Sequence, residues 1–204
     1  MNMRKTPRTR HEGAFTLLEL IISITLIAIM AVIVTGAFRL GFRSTNAGEK
    51  KIEFLERLRR SFFIMDAQIQ STMLLTFDEN GIQKPYFEGS TASLRLATNF
   101  SIWGGQRGYV VARYSAKPDG SGKFILVASE NLVGTSQTRE TTLLKDLDTV
   151  QFEYWLKDSL EEEGAWQEEW QDETRVPERV KVTVSHRGEE HALVIPIRVR
   201  GPST

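Results

Sequence analysis

The chain has 204 residues, 26 basic and 26 acidic side chains, and no cysteine. This length allows one membrane helix and one folded domain, and the lack of cysteine excludes disulfides, thiolate metal sites and a cysteine nucleophile. The charge is unevenly spread, because residues 1–14 carry a net charge of +3 and the remainder carries −3. A slightly acidic remainder argues against a nucleic-acid reader, whose binding surface is basic.

The first predicted element is an apolar run from Phe15 to Ala37 that contains one charged residue, Glu19. A membrane helix needs about 20 apolar residues, so residues 15–38 are predicted to cross a bilayer. A secretory signal has a shorter apolar centre with small residues after it, whereas here Gly13 and Ala14 come before the run. The basic residues of the leader predict a cytoplasmic N-terminus, which places the C-terminal domain on the opposite side of the membrane.

Glu19 is predicted to be the assembly residue of this segment. A carboxylate at the centre of a membrane helix costs about 2.5–3.5 kcal/mol on insertion scales, and less near the end. Phe15 and Glu19 are spaced i and i+4, so they share a helix face. A free amine on Phe15 would neutralise Glu19 in its own chain, or pair with the Glu of a neighbouring subunit and set its axial register. The alternative is an ordinary signal anchor with a tolerated acid.

The sequence Gly13-Ala14-Phe15-Thr16-Leu17-Leu18-Glu19 resembles the N-terminal signal of type IV pilins and type II secretion pseudopilins. In that superfamily a prepilin peptidase removes a basic leader on the cytoplasmic side and methylates the new amino group. The resemblance implies a leader of residues 1–14, cleavage between Ala14 and Phe15, and N-methylation at Phe15. The family favours Gly before the cut, where this chain has Ala14. Cutting after Gly13 instead would place Glu19 one residue too far from the terminus.

The membrane segment is predicted to continue as an amphipathic helix over residues 39–71, giving one helix over residues 15–71. Apolar residues at spacings of three and four predict the face that packs against a domain: Ile52, Leu55, Leu58, Phe62, Met65 and Ile69. Basic residues between them are interpreted as a solvated face rather than a lipid or nucleic-acid contact: Lys50, Lys51, Arg57, Arg59 and Arg60.

Residues 72–204 are predicted to form a β-rich periplasmic domain. Alternating or β-branched runs predict strands near residues 93–98, 109–114, 124–128, 150–156, 180–184 and 193–199. Turns are predicted at residues 117–122 and at Arg187-Gly188, and Pro196 indicates an edge strand or a bulge. The predicted fold class is α+β, with the long N-terminal helix packed on antiparallel sheet in a pilin-like arrangement.

The segment between residues 158 and 173 combines acidic residues with Trp166 and Trp170. Its carboxylates are Asp158, Glu161, Glu162, Glu163, Glu168, Glu169, Asp172 and Glu173. Calcium takes six to eight oxygen ligands, but the spacing of a preorganised calcium loop is absent. A solvated loop or partner surface is therefore favoured, and no metal site is predicted. Each tryptophan is either a core anchor or a hot spot at a subunit contact.

The second half of the chain resembles the J-type minor pseudopilin of type II secretion. The resemblance rests on Leu147–Tyr154, on Trp166 and Trp170, and on the Pro-led strand Val176–Val182 with its closing hairpin. It implies a structural subunit that initiates and caps a periplasmic pseudopilus, with no cofactor or catalysis of its own. The implied partners are the I- and K-type minor pseudopilins, the major pseudopilin, the inner-membrane assembly platform and the prepilin peptidase.

Two other functions remain open from the sequence. A minor pilin of a type IV pilus or DNA-uptake filament shares the N-terminal motif and differs in its partners. A signal-anchored periplasmic enzyme or binding domain would carry the motif by accident. The three histidines do not favour an enzyme, because His11 lies in the leader and no triad is spaced around His186 and His191, which are predicted to be exposed beside a turn.

Overall fold

The computed structural model describes residues 16–104, 108–157, 163–170, 172 and 175–198, with residues 43–47 described for the backbone alone. These residues form one helix and twelve strands. The chain divides into two compact units, Met1–Glu53 and Phe54–Thr204. The boundary falls inside the predicted amphipathic segment 39–71, because packing against the sheets begins at Phe54.

Helix α1 covers Leu17–Gln70, which confirms the helix predicted over residues 15–71 within the described residues. Thr16 precedes the helix, and its Oγ1 accepts a hydrogen bond of 3.2 Å from the backbone N–H of Glu19. This is the geometry of an N-cap, and Thr-x-x-Glu is the sequence pattern of a capping box. The helix ends at Gln70, where Ser71 begins a turn into the first strand.

The second part of α1 buries one stripe of side chains in the domain. Leu58, Met65 and Ile69 are at most 6% exposed, as the spacing predicted. Ile52 and Leu55, however, are 60% and 39% exposed, so their assignment to the packed face was wrong. The buried stripe instead includes two polar residues, Ser61 and Gln68. An apolar pattern does not detect polar side chains that find partners inside the core.

The strands of the larger sheet are β1 Thr72–Met73, β4 Glu88–Ser90, β5 Ser93–Thr98, β6 Val110–Pro118, β7 Phe124–Leu132 and β8 Thr138–Leu147. They are antiparallel in the order β1-β5-β6-β7-β8, and β4 pairs with β5. Strands β6 and β7 extend four residues beyond the predicted runs. Helix α1 lies against this sheet, where Ser61 Oγ donates a hydrogen bond of 3.3 Å to the carbonyl of Leu143.

The smaller sheet has the order β10-β9-β11-β12, and a separate hairpin is formed by β2 and β3. These strands are β2 Thr76–Glu79, β3 Ile82–Pro85, β9 Thr149–Leu156, β10 Ala165–Gln167, β11 Arg179–His186 and β12 Glu189–Pro196. The predicted hairpin at Arg187-Gly188 is confirmed, since both residues have positive φ, as a two-residue turn requires. Pro196 ends the edge strand β12, which begins four residues earlier than predicted; Val199, its predicted last residue, lies outside the described residues.

The two sheets and the helix share one core. The largest fully buried side chains come from all three: Tyr114, Tyr154, Phe152, Met65, Ile69, Leu94, Leu96, Leu126, Leu144, Leu147, Ile195 and Gln68. Strand β4 is held against the smaller sheet by Tyr154, whose hydroxyl donates to the carbonyls of Ser90 and Ser93 at 3.0 and 3.1 Å. A Cβ on Gly89 would overlap the Tyr154 ring, so only glycine fits there. The α+β prediction is confirmed.

Candidate functional site

The first part of α1 presents apolar side chains on all its faces. Leu17–Phe42 has 26 residues, a mean hydropathy of 2.8, and no buried residue. A helix of this length is about 39 Å long, which exceeds the roughly 30 Å hydrocarbon core of a bilayer. Large side chains such as Leu18, Val32 and Phe38 are all more than 60% exposed. Such a surface requires apolar surroundings that the described residues do not supply.

The three hydroxyl side chains in this segment are satisfied within the helix. The hydroxyl of Ser23 donates to the carbonyl of Glu19 at 2.8 Å. Thr25 donates to the carbonyl of Ile21 at 2.8 Å, and Thr35 to that of Ala31 at 2.7 Å. Because unsatisfied polar groups are costly in lipid, these internal bonds suit a membrane or filament core.

Glu19 is the one charged side chain between Leu17 and Phe38. It lies in the first turn of α1 and is exposed. An acid in the first turn is favoured by the helix dipole, independently of any partner. The predicted cleavage between Ala14 and Phe15 and the methylation of Phe15 fall outside the described residues. The assembly role of Glu19 and the processing site therefore remain predictions.

The structure separates the two tryptophans that sequence reasoning treated together. Trp170 belongs to the core, with an exposed fraction of 8%, and its Nε1 donates to the carbonyl of Arg175 at 3.0 Å. Its ring meets that of Phe87 edge-on at 6.4 Å, and its backbone bridges to Gly89. Trp170 is thus a core anchor rather than the partner contact that the sequence left open as its other role.

Trp166 instead lies on the outer face of the smaller sheet. Its ring packs edge-on against Trp155 at 5.1 Å, and both rings are half-buried. The guanidinium of Arg179 lies 5.8 Å from the Trp155 ring centroid, and Lys181 Nζ lies 5.3 Å from that of Trp166. Lys181 also pairs with Glu153 at 2.6 Å. These five residues, called here the tryptophan surface, have the Trp and Arg content of protein contact sites.

The acidic segment is described in part. Glu163, Glu168 and Glu169 are exposed, and Asp172 pairs with Arg175 at 2.8 Å. Among the residues that the structure describes, no group of three His, Asp or Glu side chains is placed to hold a metal ion. Four of the acids lie outside those residues: Asp158, Glu161, Glu162 and Glu173. The expectation of no metal site remains a prediction.

A buried polar cluster links α1 to the larger sheet, and sequence reasoning missed it. Gln68 donates through Nε2 to Glu130 and to the carbonyl of Phe100 at 2.9 Å, and its Oε1 accepts from the Tyr114 hydroxyl. Burial, and next the charge of Glu130, raise the pKa of Tyr114 well above its ordinary value, so it stays a neutral donor. No sequence pattern marked Glu130, because an acid on a strand is normally read as solvent-facing.

The two histidines beside the β11–β12 turn are packed rather than exposed, which corrects the prediction. The ring of His186 stacks on Phe54 with centroids 3.9 Å apart, and His191 lies 5.9 Å from the same ring. His186 Nδ1 also lies 2.7 Å from the carbonyl oxygen of Asp146. The histidines therefore help to hold the start of the packed part of α1 against the hairpin.

Two parts of the chain match known protein families. Residues 106–193 match the family described as type II secretion system (T2SS), protein J, and residues 9–35 match the prokaryotic N-terminal methylation motif. A chain of the GspK-GspI-GspJ complex from the enterotoxigenic Escherichia coli type 2 secretion system has a similar fold, with a TM-score of 0.51 and 15% identity. The similarity covers 72% of this chain and 99% of that chain. No curated protein sequence matches the chain.

Proposed function

We infer that this chain is a member of the protein J family of the type II secretion system and works as a minor pseudopilin that initiates and caps the pseudopilus. It is a membrane-anchored structural subunit of the secretion apparatus. The observation that carries the proposed role is the segment Leu17–Phe42, which is apolar on every face and has no buried residue. Such a helix can exchange a bilayer for the core of a filament without losing its apolar surroundings.

The proposed processing follows from the register of the N-terminal motif. Cleavage between Ala14 and Phe15 would free an amine four residues before Glu19. The side chain of Glu19 is exposed, so its carboxylate can pair with the amine of its own chain or of a neighbour. Pairing with a neighbour would lower the cost of the buried acid and fix the axial position of the incoming subunit. The basic leader supports an orientation with the N-terminus in the cytoplasm and the domain in the periplasm.

The proposed partners are the I- and K-type minor pseudopilins, with the major pseudopilin below them. The similar solved structure is titled a GspK-GspI-GspJ complex, which supports the same assembly here. The tryptophan surface is the proposed lateral contact, because Trp166 is half-buried and flanked by Lys181 and Glu153. A catalytic role is not proposed, since the described histidines are engaged in packing against Phe54.

A minor pilin of a type IV pilus is the second candidate, and it is supported by the methylation motif at residues 9–35 alone. The match over residues 106–193 favours type II secretion. Affinity purification of the tagged full-length chain from detergent-solubilised membranes separates the two. We expect I- and K-type pseudopilins in the eluate. Recovery of type IV pilus subunits in their place would contradict the proposed role in type II secretion.

The same purification tests the tryptophan surface. Trp166→Ala should lower the yield of the partners about tenfold, the effect of losing a hot spot of about 1.4 kcal/mol. Tyr109→Ala is the matched control, because Tyr109 is also a surface aromatic, 43% exposed, and lies outside the tryptophan surface. Full partner recovery by a folded Trp166→Ala chain would remove this surface from the proposed interface.

A further inference from the structure

A polar cavity of about 330 Å³ lies at the end of the β7–β8 hairpin. Its walls include Trp103, which follows β5, and Leu132 at the end of β7. The rim is formed by exposed residues of the hairpin loop and the start of β8, namely Thr135, Gln137, Thr138 and Arg139. The volume is near the lower end of the range for small-molecule sites, so the cavity suits one side chain or a small solute.

Among the residues that line the cavity, Glu130 is the buried one, with an exposed fraction of 3%. Its Oε1 accepts from Gln68 Nε2 and, at 2.8 Å, from the backbone N–H of Ile102. Its Oε2 accepts from the Ser101 hydroxyl at 2.8 Å. An ionised carboxylate offers about four acceptor positions, so one position on Oε2 remains. Among the described residues Glu130 has no ion pair with a basic side chain, although buried charges are normally paired.

We propose that this cavity binds a primary ammonium group, presented by a lysine side chain of a partner protein. An ammonium is compact and carries three donors, two of which the remaining position on Glu130 and the hydroxyl of the rim residue Thr135 can accept. The indole of Trp103 offers a face for a cation. The rim is exposed, so a flexible four-carbon stem can enter it from another molecule.

The geometry distinguishes an ammonium from a guanidinium. Arginine pairs best with a carboxylate through two parallel hydrogen bonds, one to each oxygen. Oε1 of Glu130 already accepts two hydrogen bonds, so it cannot serve as one arm of that pair. A single remaining acceptor fits a point charge, and lysine is such a charge.

Substitution of Arg139 distinguishes a cation site from an anion site. It is the cross-strand partner of Glu130 in the β7–β8 register and lies at the rim of the cavity. Its charge opposes an incoming cation, so Arg139→Gln should strengthen ammonium binding. If the cavity were instead an anion site centred on Arg139, Arg139→Gln would not strengthen butylammonium binding. Glu130 would then have no role in the site.

The experiment titrates the full-length chain in detergent micelles with butylammonium, and with 1-butanol as the neutral analogue. Binding is followed by the NMR shift of the Trp103 indole N–H, assigned with Trp103→Phe. We expect a saturable shift with butylammonium and none with 1-butanol. Glu130→Gln should weaken binding about tenfold or more, because a charge-assisted hydrogen bond is lost. Propylguanidinium should bind more weakly than butylammonium.

Glu130→Gln is expected to fold, because the new amide keeps one acceptor and Ser101 Oγ can accept from its Nε2. Should it unfold, Thr135→Val removes a hydroxyl at the rim without touching the buried cluster, and weaker binding is again expected. Glu140→Gln is the matched control, since Glu140 pairs with Lys117 at 2.9 Å and does not line the cavity. Its affinity should equal that of the unaltered chain.

Equal shifts with 1-butanol, unchanged affinity in folded Glu130→Gln, or weaker binding by Arg139→Gln would each overturn the ammonium site. A second probe, Nα-acetyl-lysine-N′-methylamide, separates a lysine of a polypeptide from a free amine. Binding of that probe supports a partner lysine, whereas binding of butylammonium alone would overturn that part of the proposal. None of these outcomes depends on the secretion role.

Discussion

The two parts of helix α1 contain similar apolar residues in opposite surroundings. In Leu17–Phe42 every side chain is solvent-accessible, and Met30 is 63% exposed. In the part that begins at Phe54, Met65 and Ile69 are fully buried against the sheets. The same residue types therefore serve a lipid or filament environment in one part and a domain core in the other.

The difference between the two parts lies in their pattern rather than their composition. The first part is apolar all round, so no single face is suited to a sheet. The second part has a buried stripe and an exposed basic face, including Arg57, Arg59 and Arg60. An all-apolar helix indicates burial in lipid or a large core, and a stripe indicates packing on one side. Substitutions in one part alone therefore test whether the two parts of α1 have different roles.

The largest expected effect is on secretion, from Glu19→Ala. The variant should remain in the membrane, because its helix becomes more apolar, but it should lose the pairing that registers the subunit. We expect secretion to fall to background, measured as cargo in the culture medium relative to the cell. Ser23→Ala is the control one turn further along, and it should secrete normally. Normal secretion by Glu19→Ala would contradict the assembly role.

A second prediction compares methionines in the two parts of α1. Met65→Ala should lower the free energy of unfolding of the domain by about 2–5 kcal/mol, as for other large-to-small core changes. Met30→Ala should leave that free energy unchanged, because Met30 has no place in the domain core. Denaturant titration of the full-length chain in detergent, followed by tryptophan fluorescence, measures both. Equal effects of the two substitutions on the free energy of unfolding would contradict the proposed difference between the two parts of α1.

A third prediction concerns the polar side chains in the buried stripe. Tyr114→Phe removes the hydroxyl that donates to Gln68 Oε1. We expect a loss of about 1–3 kcal/mol, the cost of an unsatisfied buried acceptor. Tyr109→Phe, on a tyrosine that is 43% exposed, should change stability little. If Tyr114→Phe is as stable as the unaltered chain, the cluster does not fix the helix on the sheet.

The smallest expected effect is a pH dependence at the β11–β12 turn. The hydrogen bond from Lys123, and next that from the Gly188 N–H, lower the pKa of Asp148 below its ordinary 3.8. The folded state therefore gains stability above the unfolded pKa and loses it as the pH falls through the lowered folded value. Stability curves of Asp148→Asn and the unaltered chain should differ above about pH 4 and converge below it. Parallel stability curves for Asp148→Asn and the unaltered chain would contradict the assignment.

Periodicity and turn chemistry were enough to predict much of the fold. The alternation around Phe152 and Val182 predicted β9 and β11, and Arg187-Gly188 predicted the turn of their neighbour β12. Strand β8 was missed because its first residues, Thr138–Thr142, are polar and form a sheet edge. The β2–β3 hairpin was also missed, although Asn80-Gly81 is a strong two-residue turn signal.

The candidate site was less accessible to sequence reasoning. Trp166 and Trp170 looked equivalent, yet one lies on a sheet face and the other in the core, because only the fold decides which side a short strand presents. Glu130 and Gln68 carry no motif, and their burial depends on partners that are distant in sequence. Glu19 could be singled out, because an acid in an apolar run is exceptional in itself.

The position and methylation of the mature N-terminus are the most direct test that this chain is processed as a filament subunit. Mass spectrometry of the chain, from cells with and without prepilin peptidase, measures where it begins and whether that terminus is methylated. We expect N-methyl-Phe15 in the presence of the peptidase and an intact leader without it. A chain that keeps residues 1–14 in both strains, or is cut inside the apolar run, would contradict its role as a filament subunit.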